Sequence, residues 1–203
     1  CGNGDESYWV GPISFYTGYC VPSSTGTATY IDNFTTSLQF EFPERTYEVY
    51  QDECDFSFNK PSYFNVKKSA QGLCNRDIEF KGLNGTLLFS RFDMDTSLAV
   101  YVDYALDKIG EHKVKATAIY DSVVIRDDAD VYGTFFQLQG NVASPFQFYL
   151  TDSTKRFASG VVYFNTRPNY DSIRPVLNFV KTDLIELMNT FEWEWWISKK
   201  QIT

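Results

Sequence analysis

Four strand-like runs follow one another almost without interruption in the second half of the chain: ATAIYDSVVI, VYGTFFQLQGN, PFQFYLTD and FASGVVYFN. The stretches between them, RDDAD, GNVASP and DSTKR, are short and turn-like. Connections of that length join antiparallel neighbours and leave no room for the crossover a parallel pair requires. A four-stranded antiparallel meander is the result, and it limits the fold more than any other feature. Upstream, LQFEF alternates Leu38, Phe40 and Phe42 against Gln39 and Glu41 and stops at Pro43, the pattern of a half-buried strand. TYEVY, DFSF, YFNV, DIEF and TLLFSRF continue as short strands. An aromatic content of 18% favours sheet in the same direction.

The period changes twice. In SLAVYVDYALDKI, Leu98, Tyr101, Val102, Ala105 and Ile109 fall on one helical face, with Thr96 or Ser97 placed to cap the start. In SIRPVLNFVKTDLIELMNTF, a stripe runs through Ile173, Val176, Leu177, Val180, Leu184, Leu187, Met188 and Phe191. With Ser172 as N-cap, Pro175 lies in the first turn, where its missing N–H has no intrahelical acceptor to lose. The expected architecture is α+β, an antiparallel sheet flanked by at least two α-helices. At 203 residues the chain suits one domain plus a tail, or at most two small domains. The expected division is an N-terminal extended tether over 1–36, the α+β domain over 37–196 and a short tail over 197–203.

The chain begins CGNGDES. Bacterial lipoprotein maturation leaves a cysteine in first position, its thiol carrying a diacylglycerol, and the small polar residues after Cys1 suit a tether. Residues 1–36 also carry Tyr8, Trp9, Phe15, Tyr16 and Tyr19, which a pure linker would lack. No apolar run approaches the length of a transmembrane helix, so membrane attachment is expected through the lipid on Cys1. Lipidation leaves Cys20, Cys54 and Cys74. Cys54 and Cys74 end neighbouring strand-like runs and are paired here; without lipidation a Cys1–Cys20 bridge is the alternative. Either arrangement implies an oxidising compartment.

The net charge of −8, with Lys67-Lys68, Lys155-Arg156 and Lys199-Lys200 the adjacent Lys/Arg pairs, argues against nucleic acid as a partner. No GxSxG, phosphate loop or HExxH occurs, and the single His112 weighs against a His-based metal site. No cofactor is expected beyond the covalent lipid. Asp127, Asp128 and Asp130 stand in a turn where calcium ligation is conceivable, although an acidic hairpin tip is the commoner outcome. In EWEWW, Trp193 and Trp195 alternate with glutamates and Trp196 breaks the pattern. Either these indoles close the core after the last helix, or they offer an aromatic hot spot; Trp193, Trp195, Trp196 and Trp9 are the candidate docking residues.

Three blocks then carry a resemblance: GN-A-S—QF-LTDS from Gly140 to Ser153, G—YFN—PN-DS from Gly160 to Ser172, and the helix ending TFEW. In this order and spacing they resemble the gliding-motility lipoprotein family GldD. HKVKATAI and F-F-FPERTY—Y—C-FSF—PSY extend the likeness, so that it covers about residues 38–194. Residues 1–36 and Cys20 do not match the short tether of that family.

The resemblance implies a non-enzymatic lipoprotein of the cell envelope of gliding bacteria, needed for gliding motility and type IX protein secretion. GldJ, another gliding lipoprotein, is the implied partner, and the outer membrane, facing the periplasm, the implied location. The element order is similar to the Mog1/PsbP kind of α+β domain. Asp121-Ser122-Val123 resembles the O-glycosylation sequon of these bacteria, making Ser122 a candidate acceptor. Competing expectations are an envelope carbohydrate-active domain using an acidic pair and a calcium or ligand module on the Asp127–Asp130 turn.

Overall fold

The computed structural model describes residues 19–22, 28–31, 42–112, 115–165 and 170–194. The chain divides into two compact units, Cys1–Gln39 and Phe40–Thr203. In the first, β1 (Tyr19–Pro22) and β2 (Ala28–Ile31) pair as an antiparallel hairpin that sets Cys20 opposite Tyr30.

The second unit contains the expected meander. Strands β8 (Ala116–Arg126), β9 (Val131–Gly140), β10 (Phe146–Thr151) and β11 (Arg156–Phe164) lie side by side in chain order. Three earlier strands complete the sheet: β5 (Phe64–Lys68), β6 (Asn75–Phe80) and β7 (Gly85–Asp93). The order is β5-β6-β7-β11-β10-β9-β8, antiparallel throughout. The chain leaves mid-sheet at β7, crosses as helix α1 (Leu98–His112) to the far edge, and returns strand by strand until β11 closes against β7. A second sheet has the order β12-β4-β3, from β3 (Tyr47–Asp52), β4 (Phe56–Pro61) and the two-residue β12 (Glu192–Trp193).

Alternation decides which face of the large sheet is dry. Ile78, Phe80, Leu87, Phe89, Phe135, Phe146, Phe148, Leu150 and Val162 point to one side and are buried there. Helix α2 (Tyr170–Asn189) covers them with Val176, Leu177, Val180, Leu184, Leu187 and Met188, as its stripe requires. Phe56 and Phe58 of β4 enter the same core, stacked near Phe191 at centroid distances of 5.9 and 6.5 Å. On the opposite face α1 presents the expected residues: Leu98, Tyr101, Val102 and Ala105 are half-buried, and Ile109 packs with Leu138 and Val142.

Two sequence expectations need correction. Phe42 lies outside any strand and is 41% exposed, because it stacks on Phe179 of α2 with centroids 4.5 Å apart; residues 38–41 of the expected strand lie outside the described residues. Helix α2 starts at Tyr170, so Ser172 is within the helix rather than its cap and Pro175 is interior, costing one intrahelical hydrogen bond.

The turns explain why the hairpins close. Among the described residues, those other than glycine with positive φ are Asp55 after β3, Asn84 before β7, Asp130 before β9 and Ser153 between β10 and β11. Asp and Asn tolerate the left-handed region, and short polar side chains bond their own turn backbone. Gly160 is needed for space: a Cβ there would meet the Phe148 ring at 2.3 Å. Gly160→Ala is expected to lower stability by about 1–3 kcal/mol in denaturant unfolding. Adding Phe148→Leu, which withdraws the ring, should recover part of the glycine-specific loss in a double-mutant cycle.

Candidate functional site

Among the described residues, the buried charged side chains fall into three ion-paired clusters. Asp183 comes from α2, fully buried inside the apolar stripe. Arg45 reaches it with Nε at 2.9 Å, Tyr47 donates to Oδ1 at 2.6 Å and Tyr63 donates to Oδ2 at 2.5 Å. The Arg45 guanidinium also lies 4.2 Å over the Phe179 ring and donates to the Phe179 carbonyl. Burial, and then the carboxylate each phenol faces, push Tyr63 and Tyr47 well above the ordinary tyrosine range.

The second cluster flanks the disulfide. Cys54 and Cys74 are bridged, with Cα atoms 5.7 Å apart. Two residues before Cys54 is Asp52 and two residues after Cys74 is Arg76, both buried. They form a bidentate pair, Nε to Oδ2 and Nη2 to Oδ1, both at 2.6 Å. Tyr50 donates to the same carboxylate at 2.5 Å, and its phenol is pushed up to about 12 by burial and by that carboxylate.

The third cluster is the LTDS turn. Asp152 Oδ1 accepts the backbone N–H groups of Thr154, Lys155 and Arg156 at 3.0, 2.7 and 2.8 Å, while Oδ2 accepts Arg156 Nε at 2.9 Å. Burial alone would raise this carboxyl; the backbone donors and the guanidinium outweigh it and bring it down to about 2. Arg156 then lies 5.2 Å from the Trp193 ring centroid and donates to the Glu194 carbonyl.

Trp193 is consequently a core residue, 4% exposed and edge-on to Phe191 at 4.7 Å. It is not available for docking, because pairing of β12 with β4 turns it inward. Trp9, Trp195, Trp196 and Cys1 lie outside the described residues. Ser122 is exposed in the middle of β8. The acids of the Asp127–Asp130 turn have separate protein partners: Tyr132 donates to Asp127 at 3.1 Å and Arg126 pairs with Asp128 at 3.1 Å. Among the described residues no three of His, Cys, Asp or Glu gather as a metal site.

Sequence reasoning passed over Asp183, Asp52–Arg76 and Asp152–Arg156. Two signals were present. Asp183 occupies a stripe position, three after Val180 and four before Leu187, where an acid has no water. Asp52 and Arg76 are placed symmetrically about the paired cysteines.

Chemically, each of the three carboxylates has hydrogen-bond donors on both oxygens and a guanidinium in contact. That arrangement holds elements together. The residues of the motif blocks serve the backbone likewise: Gly140 has φ 109°, and Ser144, fully buried, accepts from Gln147 at 2.9 Å. The family model of the gliding motility lipoprotein GldD matches residues 27–193, from just before β2 to Trp193. No curated protein matches the chain.

Two outcomes are expected. Asp183→Ala strands a buried phenol and a guanidinium, and urea unfolding should show a loss of about 3–5 kcal/mol. For Asp152, the folded carboxyl near 2 lies below the ordinary value of about 3.9. Its contribution is therefore present above pH 4 and lost as pH falls from 4 to 2. Asp152→Asn should be less stable at pH 7 and show a shallower stability loss across that window than the unaltered chain.

Proposed function

The chain belongs to the gliding motility lipoprotein GldD family, and on that premise we propose that it is a lipid-anchored, non-enzymatic subunit of the gliding and type IX secretion machinery. It acts by binding and stabilising other envelope lipoproteins, GldJ foremost among them. Membership makes it a component of gliding motility associated with the cell envelope. Among the described residues no helix is long and apolar enough to cross a membrane, which suits attachment through acyl chains on Cys1. The outer membrane, with the domain facing the periplasm, is the site where an anchored subunit of this machinery would meet its partners.

One observation carries the reading: the residues that mark the family are spent on rigidity. Asp152 ties its turn, Ser144 holds Gln147, and Gly160 admits the Phe148 ring. An enzyme of the acidic-pair kind needs one carboxyl able to carry a proton near neutral pH. Asp152, at about 2, is poorly suited to that task. A scaffold with neutralised interior charges and apolar side chains on its surface is suited to holding partners. Those side chains include Val123 at 68% and Ile125 at 65% exposed.

Affinity capture from detergent-solubilised membranes, with mass spectrometry of the eluate and of the N-terminal peptide, tests the reading. The expected result is a stoichiometric complex with other gliding lipoproteins and an acyl mass on Cys1. Recovery of the chain alone, without that mass, would overturn both subunit and anchor.

A further inference from the structure

The two edges of the seven-stranded sheet are protected unequally. At one edge β5 has five residues and ends in Lys67 and Lys68, paired with Glu79 and Glu53 at 2.6 Å each. A short strand carrying lysines is the usual guard against stray pairing. At the other edge β8 runs for eleven residues, and among the described residues no strand pairs with its outer side. Tyr120, Val123 and Ile125 are 54%, 68% and 65% exposed, and Asp121 is the one charge before Arg126. The strand holds no Pro, Lys or Gly. Its register is irregular only between Ala116 and Ala118, so the rest is regular and open. An edge of this length presents a row of N–H and C=O groups that template another strand.

We propose that β8 is a docking edge that accepts an extended basic strand of a partner protein as an eighth strand of the sheet. This rests on the subunit reading above and supplies its contact surface. Charge selects the occupant. Asp121 is exposed, and the strand leads into Asp127, Asp128 and Asp130, all exposed. Arg126 is already engaged, with the Phe191 carbonyl at 2.6 Å and Asp128 at 3.1 Å.

A second copy of this chain would have to pair antiparallel about a two-fold axis normal to the sheet. Centred on Ser122, that pairing makes the two Asp121 residues diagonal neighbours. Centred on Val123, it sets Asp127 of one copy diagonal to Asp121 of the other. Like charges at such positions destabilise, and each copy carries a net −8. A strand with Lys or Arg near Asp121 and near the acidic turn meets attraction instead. Its alternating apolar side chains would cover Val123 and Ile125 on one face and Tyr120 on the other.

The test places a photoreactive benzoylphenylalanine at Val123 in the full anchored chain, with Val49 of β3 as the control position. Envelope membranes are irradiated and the joined peptides are sequenced. Val123 is expected to join one segment of a different protein, with Lys or Arg among alternating apolar residues, and Val49 is not. Asp121→Lys should cut the yield at least tenfold while leaving the melting temperature unchanged. Joining to another copy of this chain, joining to an acidic segment, or no joining at all would overturn the docking edge. If Asp121→Lys still captures the same lipoproteins in the same amounts, the edge is wrong and the subunit reading stands. If the unaltered chain is captured alone, both fail.

Discussion

Placing the Asp183 carboxylate in the dry stripe of α2 obliges other parts of the chain to come to it. An ionised group there is tolerable only with its lone pairs occupied and its charge opposed. The donors arrive from different places: Arg45 from the segment before β3, Tyr47 from β3, and Tyr63 from the link between β4 and β5. Helix, small sheet and large sheet are thus held in one relative arrangement by a single acid. Hydrophobic burial alone would be far less selective, since an apolar stripe of this kind can slide or rotate against a Phe-rich sheet with small changes in buried area.

Two kinds of material therefore divide the labour in the domain. The aromatic core, in which Phe56, Phe58, Phe89 and Phe191 lie at centroid separations of 5.0 to 6.5 Å, supplies most of the favourable burial. The three carboxylate–arginine clusters supply geometry. Each sits at a junction: Asp183 between α2 and the strands before β5, Asp52 with Arg76 between the sheets, and Asp152 with Arg156 between a hairpin turn and β12.

The meander and both helices were legible because each is written locally. Strand period, turn length and helical stripe are properties of neighbouring residues. The partition of strands between two sheets was not legible, since alternation reports which face is buried and says nothing of which strand lies alongside. The start of α2 was misplaced because Pro175 is more comfortable in a first turn, and packing of the long stripe overrode that preference. EWEWW was ambiguous for a related reason. Two residues of β12 pairing with Ser57 and Phe56 decide that Trp193 faces inward, and that partner lies well over a hundred residues away in sequence. The buried acids were the least visible, because an Asp on a surface and an Asp in a core are the same letter until the donors around it are known.

The disulfide has a mechanical meaning. Cys54 stands at the entrance to β4 in the small sheet and Cys74 at the entrance to β6 in the large one, twenty residues apart in sequence. Tension entering the domain from its N-terminal side passes along β3 and then crosses directly from one sheet to the other through the sulfurs. The intervening β4 and β5 are bypassed and cannot be drawn out, which withholds roughly 70 Å of contour length. For a domain loaded from its N-terminal side, the path is short and covalent where the two sheets meet.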